Sequence, residues 1–234
     1  MGEKQTLILV PGLLCDAALW QNQIIDLLDV CDVSVADITW GDSMEVLAQG
    51  VLDEAPDEFA LAGLSMGGYV VQEIMRQAPE RVTHVAFVDT NARADTPEQT
   101  LNRQRMIKIA EEGRFESIAP EMLPNLVHPD HVDDPKSGQV FLTMAANVGS
   151  EAFIDQQTAI MNRVDGRADL GKIACPTLVL CGEQDALTPV KVHQEIVDGV
   201  GDHAKLVVVP DCGHLSPLEQ PEAVTDAFRA WLAE

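Results

Sequence analysis

The sequence predicts an α/β protein: a mostly parallel sheet of about six strands, helices on both faces, and a helical segment inserted after the fourth strand. Three observations carry this reading. Short runs such as Thr6-Leu7-Ile8-Leu9-Val10 and Thr177-Leu178-Val179-Leu180-Cys181 are apolar without interruption, the pattern of strands buried on both faces. These runs alternate with stretches of helical period at βαβ spacing, and strands joined through helices run parallel. Between residues 93 and 170 the alternation stops and only helical stretches appear.

In order, the first strand runs to Val10 and is stopped by Pro11-Gly12. Asp16 is placed to cap a segment in which Leu19, Trp20, Gln23, Ile24, Leu27 and Leu28 recur at helical spacing. Val33-Ser34-Val35-Ala36-Asp37-Ile38 reads as the second strand, and Asp42 or Ser43 caps a helix reaching Leu52. A third strand over 59–64 enters Gly63-Leu64-Ser65-Met66-Gly67-Gly68, and a helix leaves that turn and stops near Gln77, before Pro79. Residues 82–88 form the fourth strand. The inserted segment offers helices over 99–112, 115–123, 136–148 and 151–162, with a proline- and histidine-bearing loop over 123–136. A strand over 177–181, a helix over 189–197, a strand over 205–209 and a helix over 223–232 close the chain. The expected division is a core of 1–92 and 171–234 with a helical cap at 93–170. Such an insertion should lie over the carboxyl ends of the strands, where open α/β sheets bind ligands.

At 234 residues and 46% hydrophobic content the chain suits one substantial domain. Its net charge of -23 makes most surfaces repel phosphate, which argues against nucleic acid or an anionic membrane as partner. The five cysteines are odd in number and lack CxxC spacing, so a reducing compartment is the simpler reading. Met1-Gly2-Glu3-Lys4-Gln5 leads straight into a strand, and no apolar run is long enough to span a bilayer. The expectation is a cytoplasmic protein acting on a small molecule.

Ser65 sits at the apex of a strand–turn–helix, a strained position that holds its hydroxyl clear of the main chain. Gly63 and Gly67 flank it where strand and helix cross closely. A serine hydroxyl needs a base, and the base needs an orienting anion. Asp185 follows the fifth strand and His214 the sixth, so both belong at the same sheet edge as Ser65. His214 is the candidate base and Asp185 the candidate acid. Asp89, at the end of the fourth strand, is the alternative acid, in which case Asp185 caps the following helix. The backbone N–H groups of Met66 and Leu13 are candidate oxyanion donors, with Leu14 as the fallback for Leu13. Leu14, Trp20, Phe141 and Met144 are candidate pocket residues. Met106, Met122, Met161, Phe115 and Phe153 belong either to a small core under the cap or to an apolar pocket. Cys15 and Cys212 flank the site as packing residues. His128 and His131 invite a metal reading, but without further clustered ligands a solvated loop is favoured; no metal or cofactor is expected.

Val10-Pro11-Gly12-Leu13-Leu14, Gly63-Leu64-Ser65-Met66-Gly67-Gly68, Pro79-Glu80-Arg81-Val82, Gly182-x-x-Asp185-x-x-x-Pro189 and Gly213-His214 together resemble the α/β-hydrolase superfamily. The likeness is closest to its small carboxylesterase, enol-lactonase and C–C bond hydrolase members. It covers nearly the whole chain and is loosest over the insertion, which corresponds to the variable cap of that family. Two departures stand out: Pro11-Gly12 replaces the His-Gly that begins the oxyanion turn in many relatives, and an initial antiparallel hairpin is lacking. The resemblance implies the α/β-hydrolase fold and a serine hydrolase that cleaves a small to medium uncharged ester or lactone through an acyl-enzyme on Ser65. C–C bond hydrolysis, perhydrolysis or acyl transfer by the same residues are alternatives, and a ligand-binding protein on the same scaffold is the non-enzymatic one.

Overall fold

Six strands, β1 (Gln5–Val10), β2 (Cys31–Val35), β3 (Phe59–Leu64), β4 (Val82–Val88), β5 (Thr177–Gly182) and β6 (Ala204–Val209), pair in parallel in the order β2-β1-β3-β4-β5-β6. The structure, a computed structural model, describes residues 4–234. β3 and β5 are buried along their whole length, whereas the edge strands β2 and β6 carry exposed positions. Burial on both faces is why the inner strands read as unbroken apolar runs. β2 is displaced from its apolar pattern: pairing starts at Cys31, opposite Gln5, and the ladder ends at Val35.

The strand order reverses at β1, which has β2 on one side and β3 on the other, with Val10 opposite Gly63. The turns leaving β1 and β3 therefore lie side by side at the carboxyl edge, the place where doubly wound sheets open a crevice.

Helices cover both faces. Leu19 and Trp20, just ahead of α1 (Gln21–Asp26), join α9 (Pro221–Leu232) in one core, where the Trp20 and Trp231 rings lie 5.9 and 5.6 Å from that of Phe228. On the other face α2 (Met44–Glu54), α3 (Met66–Gln77) and α7 (Val190–Val200) bury Leu47, Val51, Val70, Ile74 and Ile196. Ser43 Oγ caps α2 by accepting the Val46 N–H, and Asp16 caps a single 3-10 turn, Ala17–Trp20, that precedes α1. A short helix, α8 (Ser216–Glu219), leads into α9.

Between β4 and β5 lie α4 (Pro97–Ile109), α5 (Ile118–Leu126) and α6 (Gly138–Asn162). A capping box of Thr96 and Gln99 starts α4 earlier than the sequence pattern indicates. α5 continues through Pro124, so the expected loop at 123–136 begins only after Leu126. The proline removes one helical hydrogen bond, and burial of Leu123 and Leu126 in the core offsets it. α6 consists of two helical segments that meet at Gly149, whose φ of 80° and ψ of 175° break the helix between the two stretches read from sequence. Among the described residues no helix is long and apolar enough to cross a membrane.

Candidate active site

Ser65 follows β3 with φ 54° and ψ -112°, a backbone conformation that costs a non-glycine residue energy and turns the chain sharply into α3. The strain is held on both sides. Ser65 N–H donates to the Val88 carbonyl at 3.0 Å, and Thr90 Oγ1 donates to the Ser65 carbonyl at 2.8 Å. Glycines are required around it. A Cβ on Gly63 would lie 2.4 Å from the Gly67 carbonyl oxygen, and one on Gly67 would lie 2.2 Å from the Val10 carbonyl oxygen.

The structure brings Ser65, His214 and Asp185 into one line of hydrogen bonds. Ser65 Oγ is 2.9 Å from His214 Nε2, and His214 Nδ1 is 2.7 Å from Asp185 Oδ2. With the imidazole proton on Nδ1, that nitrogen donates to the carboxylate and Nε2 faces the serine as an acceptor. Asp185 is fixed by further donors: the N–H groups of Leu187 and Thr188 on Oδ1, at 2.8 and 2.9 Å, and the Thr188 hydroxyl on Oδ2 at 2.7 Å. Burial pushes the Asp185 carboxyl up, but the His214 charge and these hydrogen bonds outweigh it and hold the pKa below the usual value. Burial pushes His214 down, and the Asp185 charge and hydrogen bond more than restore it, leaving its pKa raised.

Asp89, the alternative acid, is turned elsewhere. Its Oδ1 accepts Gly182 N–H at 3.0 Å and its Oδ2 accepts Ser216 N–H at 3.1 Å. Burial, and then the neighbouring Asp185 charge, keep its carboxyl well above the usual range.

The turn after β1 is closed by Cys15 N–H donating to the Gly12 carbonyl at 3.1 Å. Leu14 N–H is spent on Gln156 Oε1 at 3.1 Å, which removes the fallback donor. The N–H groups of Leu13 and Met66, one in this turn and one at the first position of α3, have no acceptor among the described residues. A cavity of about 460 Å³ opens over Ser65, Leu13 and His214, and its walls include Met106, Met122 and Phe141.

Three pocket candidates do not reach this cavity. Leu14, Trp20 and Met144 are fully buried core residues. Leu14 adopts φ 60° and sits in the core, and Trp20 packs on Phe228 beneath the sheet face. Met144 belongs to the inner face of α6, and Phe115 and Phe153 pack on each other with ring centroids 5.6 Å apart and planes tilted by 55°. Cys15 touches the cavity, but burial pushes its thiol up to about 12, so it stays protonated and a poor nucleophile.

Several residues that position the site carry no sequence motif of their own. Glu219, fully buried, accepts the N–H groups of Gly213 and Leu215 on either side of His214, and also those of His128 and the His131 ring. An acid enclosed by Leu215, Pro217 and Leu218 is the one sequence signal for it. His131 is thereby a partner of Glu219, and the His128 ring accepts the Asp130 N–H. His193, buried in α7, accepts Thr90 N–H at 2.9 Å and so steadies the residue that holds the Ser65 carbonyl. Gln156 bridges the β1 turn to the Ile38 carbonyl.

The chain is similar to known esterases and to an enol-lactonase. A pimeloyl-[acyl-carrier protein] methyl ester esterase of Photobacterium profundum is 25% identical over 99% of this chain and 96% of its own. A 3-oxoadipate enol-lactonase of Acinetobacter baylyi is 27% identical over 72% of this chain and 61% of its own. The solved structure of a thermophilic esterase from Thermogutta terrifontis, with malate bound, superposes with a TM-score of 0.90 at 30% identity, covering 100% of this chain and 91% of that one. The model of the alpha/beta hydrolase family matches residues 7–227, from β1 into α9, and the chain belongs to that family.

Proposed function

We propose that the protein is a serine hydrolase that cleaves a small to medium carboxylic ester or lactone through an acyl-enzyme on Ser65. The observation that carries this is the hydrogen-bonded line from Ser65 through His214 to Asp185, at 2.9 and 2.7 Å, facing a cavity large enough for a small acyl compound. The names of the esterase and lactonase relatives support the choice of carbonyl substrate.

In this reading His214 Nε2 takes the Ser65 proton as Oγ attacks the carbonyl carbon. The Asp185 carboxylate stabilises the imidazolium. The Leu13 and Met66 N–H groups receive the oxyanion, and having no other partner they need no rearrangement to do so. The tetrahedral intermediate collapses as His214 returns the proton to the leaving alkoxide. Water, deprotonated by the same histidine, then releases the acid and regenerates Ser65. Residues 93–170 act as a cap that walls the acyl group off from bulk water.

Stopped-flow release of p-nitrophenol from a short-chain ester tests this. The expected result is a burst of one equivalent per chain followed by slower turnover, with the burst absent in Ser65→Ala. Equal rates for the wild type and Ser65→Ala would end the proposal.

A further inference from the structure

One charge cluster, which reaches the cavity through Arg103, is a carboxylate short. Asp95, 1% exposed at its side chain, accepts Arg103 Nε at 2.7 Å on Oδ2 and Arg163 Nη1 at 2.6 Å on Oδ1. Arg163, 4% exposed, also gives Nε to the Arg93 carbonyl and Nη1 to the Ile160 carbonyl, with its guanidinium 4.2 Å from the centre of the Tyr69 ring, and it does not line the cavity. Arg103 gives Nη1 to Gln157 Oε1 at 2.8 Å, and its Nη2 has no acceptor among the described residues. Two guanidiniums thus share one carboxylate. Arg103 and Gln157 line the cavity that contains Ser65 and His214.

This local excess runs against the rest of the molecule, where 38 acidic residues face 15 basic ones. A guanidinium whose side chain is 20% exposed, held at the cavity with an unused donor, is poised for an anion, and its planar fork suits a carboxylate. We propose that Arg103 is an anion subsite, and that the substrate carries a free carboxylate in addition to the ester or lactone cleaved at Ser65. Such substrates are half-esters of dicarboxylic acids or lactones bearing a carboxylate. This rests on the hydrolase reading above and replaces the uncharged substrate expected from the sequence. Net charge acts on the approach of polyanions to the outer surface and is screened over about 8–10 Å in physiological salt. Inside the cavity the nearest fixed charges decide, and there Arg103 and Arg105 face the single lining carboxylate of Glu121.

The test compares methyl esters of linear monocarboxylic acids with monomethyl esters of dicarboxylic acids, matched in length across a series. At the best length, wild type should favour the half-ester by about tenfold or more in kcat/KM. Arg103→Gln should abolish this preference, Arg103→Lys should keep part of it, and Arg167→Gln, the same charge change away from the cavity, should keep all of it. In Arg103→Gln the buried Asp95 retains Arg163, so the fold has a counterion for that carboxylate; a thermal melt checks this. Calorimetric titration of Ser65→Ala with the free dicarboxylate reads the subsite without turnover, and binding should be lost in Ser65→Ala/Arg103→Gln. No preference at any length, a preference that survives Arg103→Gln, one lost in Arg105→Gln instead, or dicarboxylate binding indifferent to Arg103 would each overturn the proposal. Hydrolysis that does not depend on Ser65 would sink the hydrolase reading, and the titration would still decide the subsite.

Discussion

Replacing Glu219 should both loosen the fold and misplace His214. Its carboxylate is fully buried and accepts three backbone N–H groups: His128 at 2.7 Å, Gly213 at 3.1 Å and Leu215 at 3.0 Å, with His131 Nδ1 also at 2.9 Å. Gly213 and Leu215 flank His214, whose own N–H donates to the Leu126 carbonyl at 2.9 Å. One side chain therefore ties the His214 loop to the segment that follows α5. Glu219→Ala leaves three N–H groups without acceptors. Each costs about 1–3 kcal/mol, and with water entering the vacated space the total is about 3–6 kcal/mol. That is a large share of a typical domain stability of about 5–15 kcal/mol. Glu219→Gln keeps one acceptor oxygen but points an amide donor at backbone donors, for about 1–3 kcal/mol. Urea titration followed by tryptophan fluorescence reads the stability loss. Steady-state ester hydrolysis should show kcat falling more than KM changes, because the loop places the base and only Leu215 and His214 of it border the cavity. A Glu219→Ala variant with the wild-type urea midpoint and wild-type kcat would refute the reasoning.

Further outcomes follow from the same geometry. Asp185→Asn should lower kcat by about 10³–10⁴-fold through loss of the imidazole's orienting anion, while Asp89→Asn should cost under about tenfold; equal losses would mean that the acid is misassigned. His193 is buried neutral, with its pKa pushed by burial from 6.5 down to about 4. The unfolded chain takes up this proton below pH 6.5 and the folded chain does not until about pH 4, so the group's stability contribution is present above the upper value and is lost as pH falls through that window. At about 1.4 kcal/mol per unit this amounts to about 3 kcal/mol, and urea titrations across that range should show a shallower pH slope in His193→Gln. Gly67→Ala places a Cβ 2.2 and 2.5 Å from the Val10 and Pro11 carbonyl oxygens; since backbone atoms cannot yield cheaply, ester hydrolysis should fall sharply and the thermal midpoint should drop.

The inner strands were legible because strands buried on both faces must be apolar throughout, whereas the exposed positions of edge strand β2 blurred its bounds; the common location of Ser65, Asp185 and His214 was legible because each follows a strand at its carboxyl end. Local signals misled where burial overrode them. Pro124 reads as a helix breaker, yet α5 passes through it. Leu14, Trp20 and Met144 read equally well as wall or core, and only three-dimensional packing assigns them to the core. The positioning residues were the least legible. Glu219 acts on His128 across 91 residues, and Asp95 meets Arg163 across 68. Such pairings leave no periodic trace in the chain. Asp95 takes both Arg103 and Arg163, a grouping that composition does not reveal.

The central claim, that Ser65 is the nucleophile activated by His214, is tested most directly by labelling the intact protein with a fluorophosphonate and locating the adduct by peptide mass spectrometry. The account predicts one adduct per chain, on Ser65, with ester hydrolysis lost in proportion to labelling and labelling greatly slowed in His214→Ala. An adduct on another residue, or full labelling of Ser65 that leaves hydrolysis intact, would contradict it.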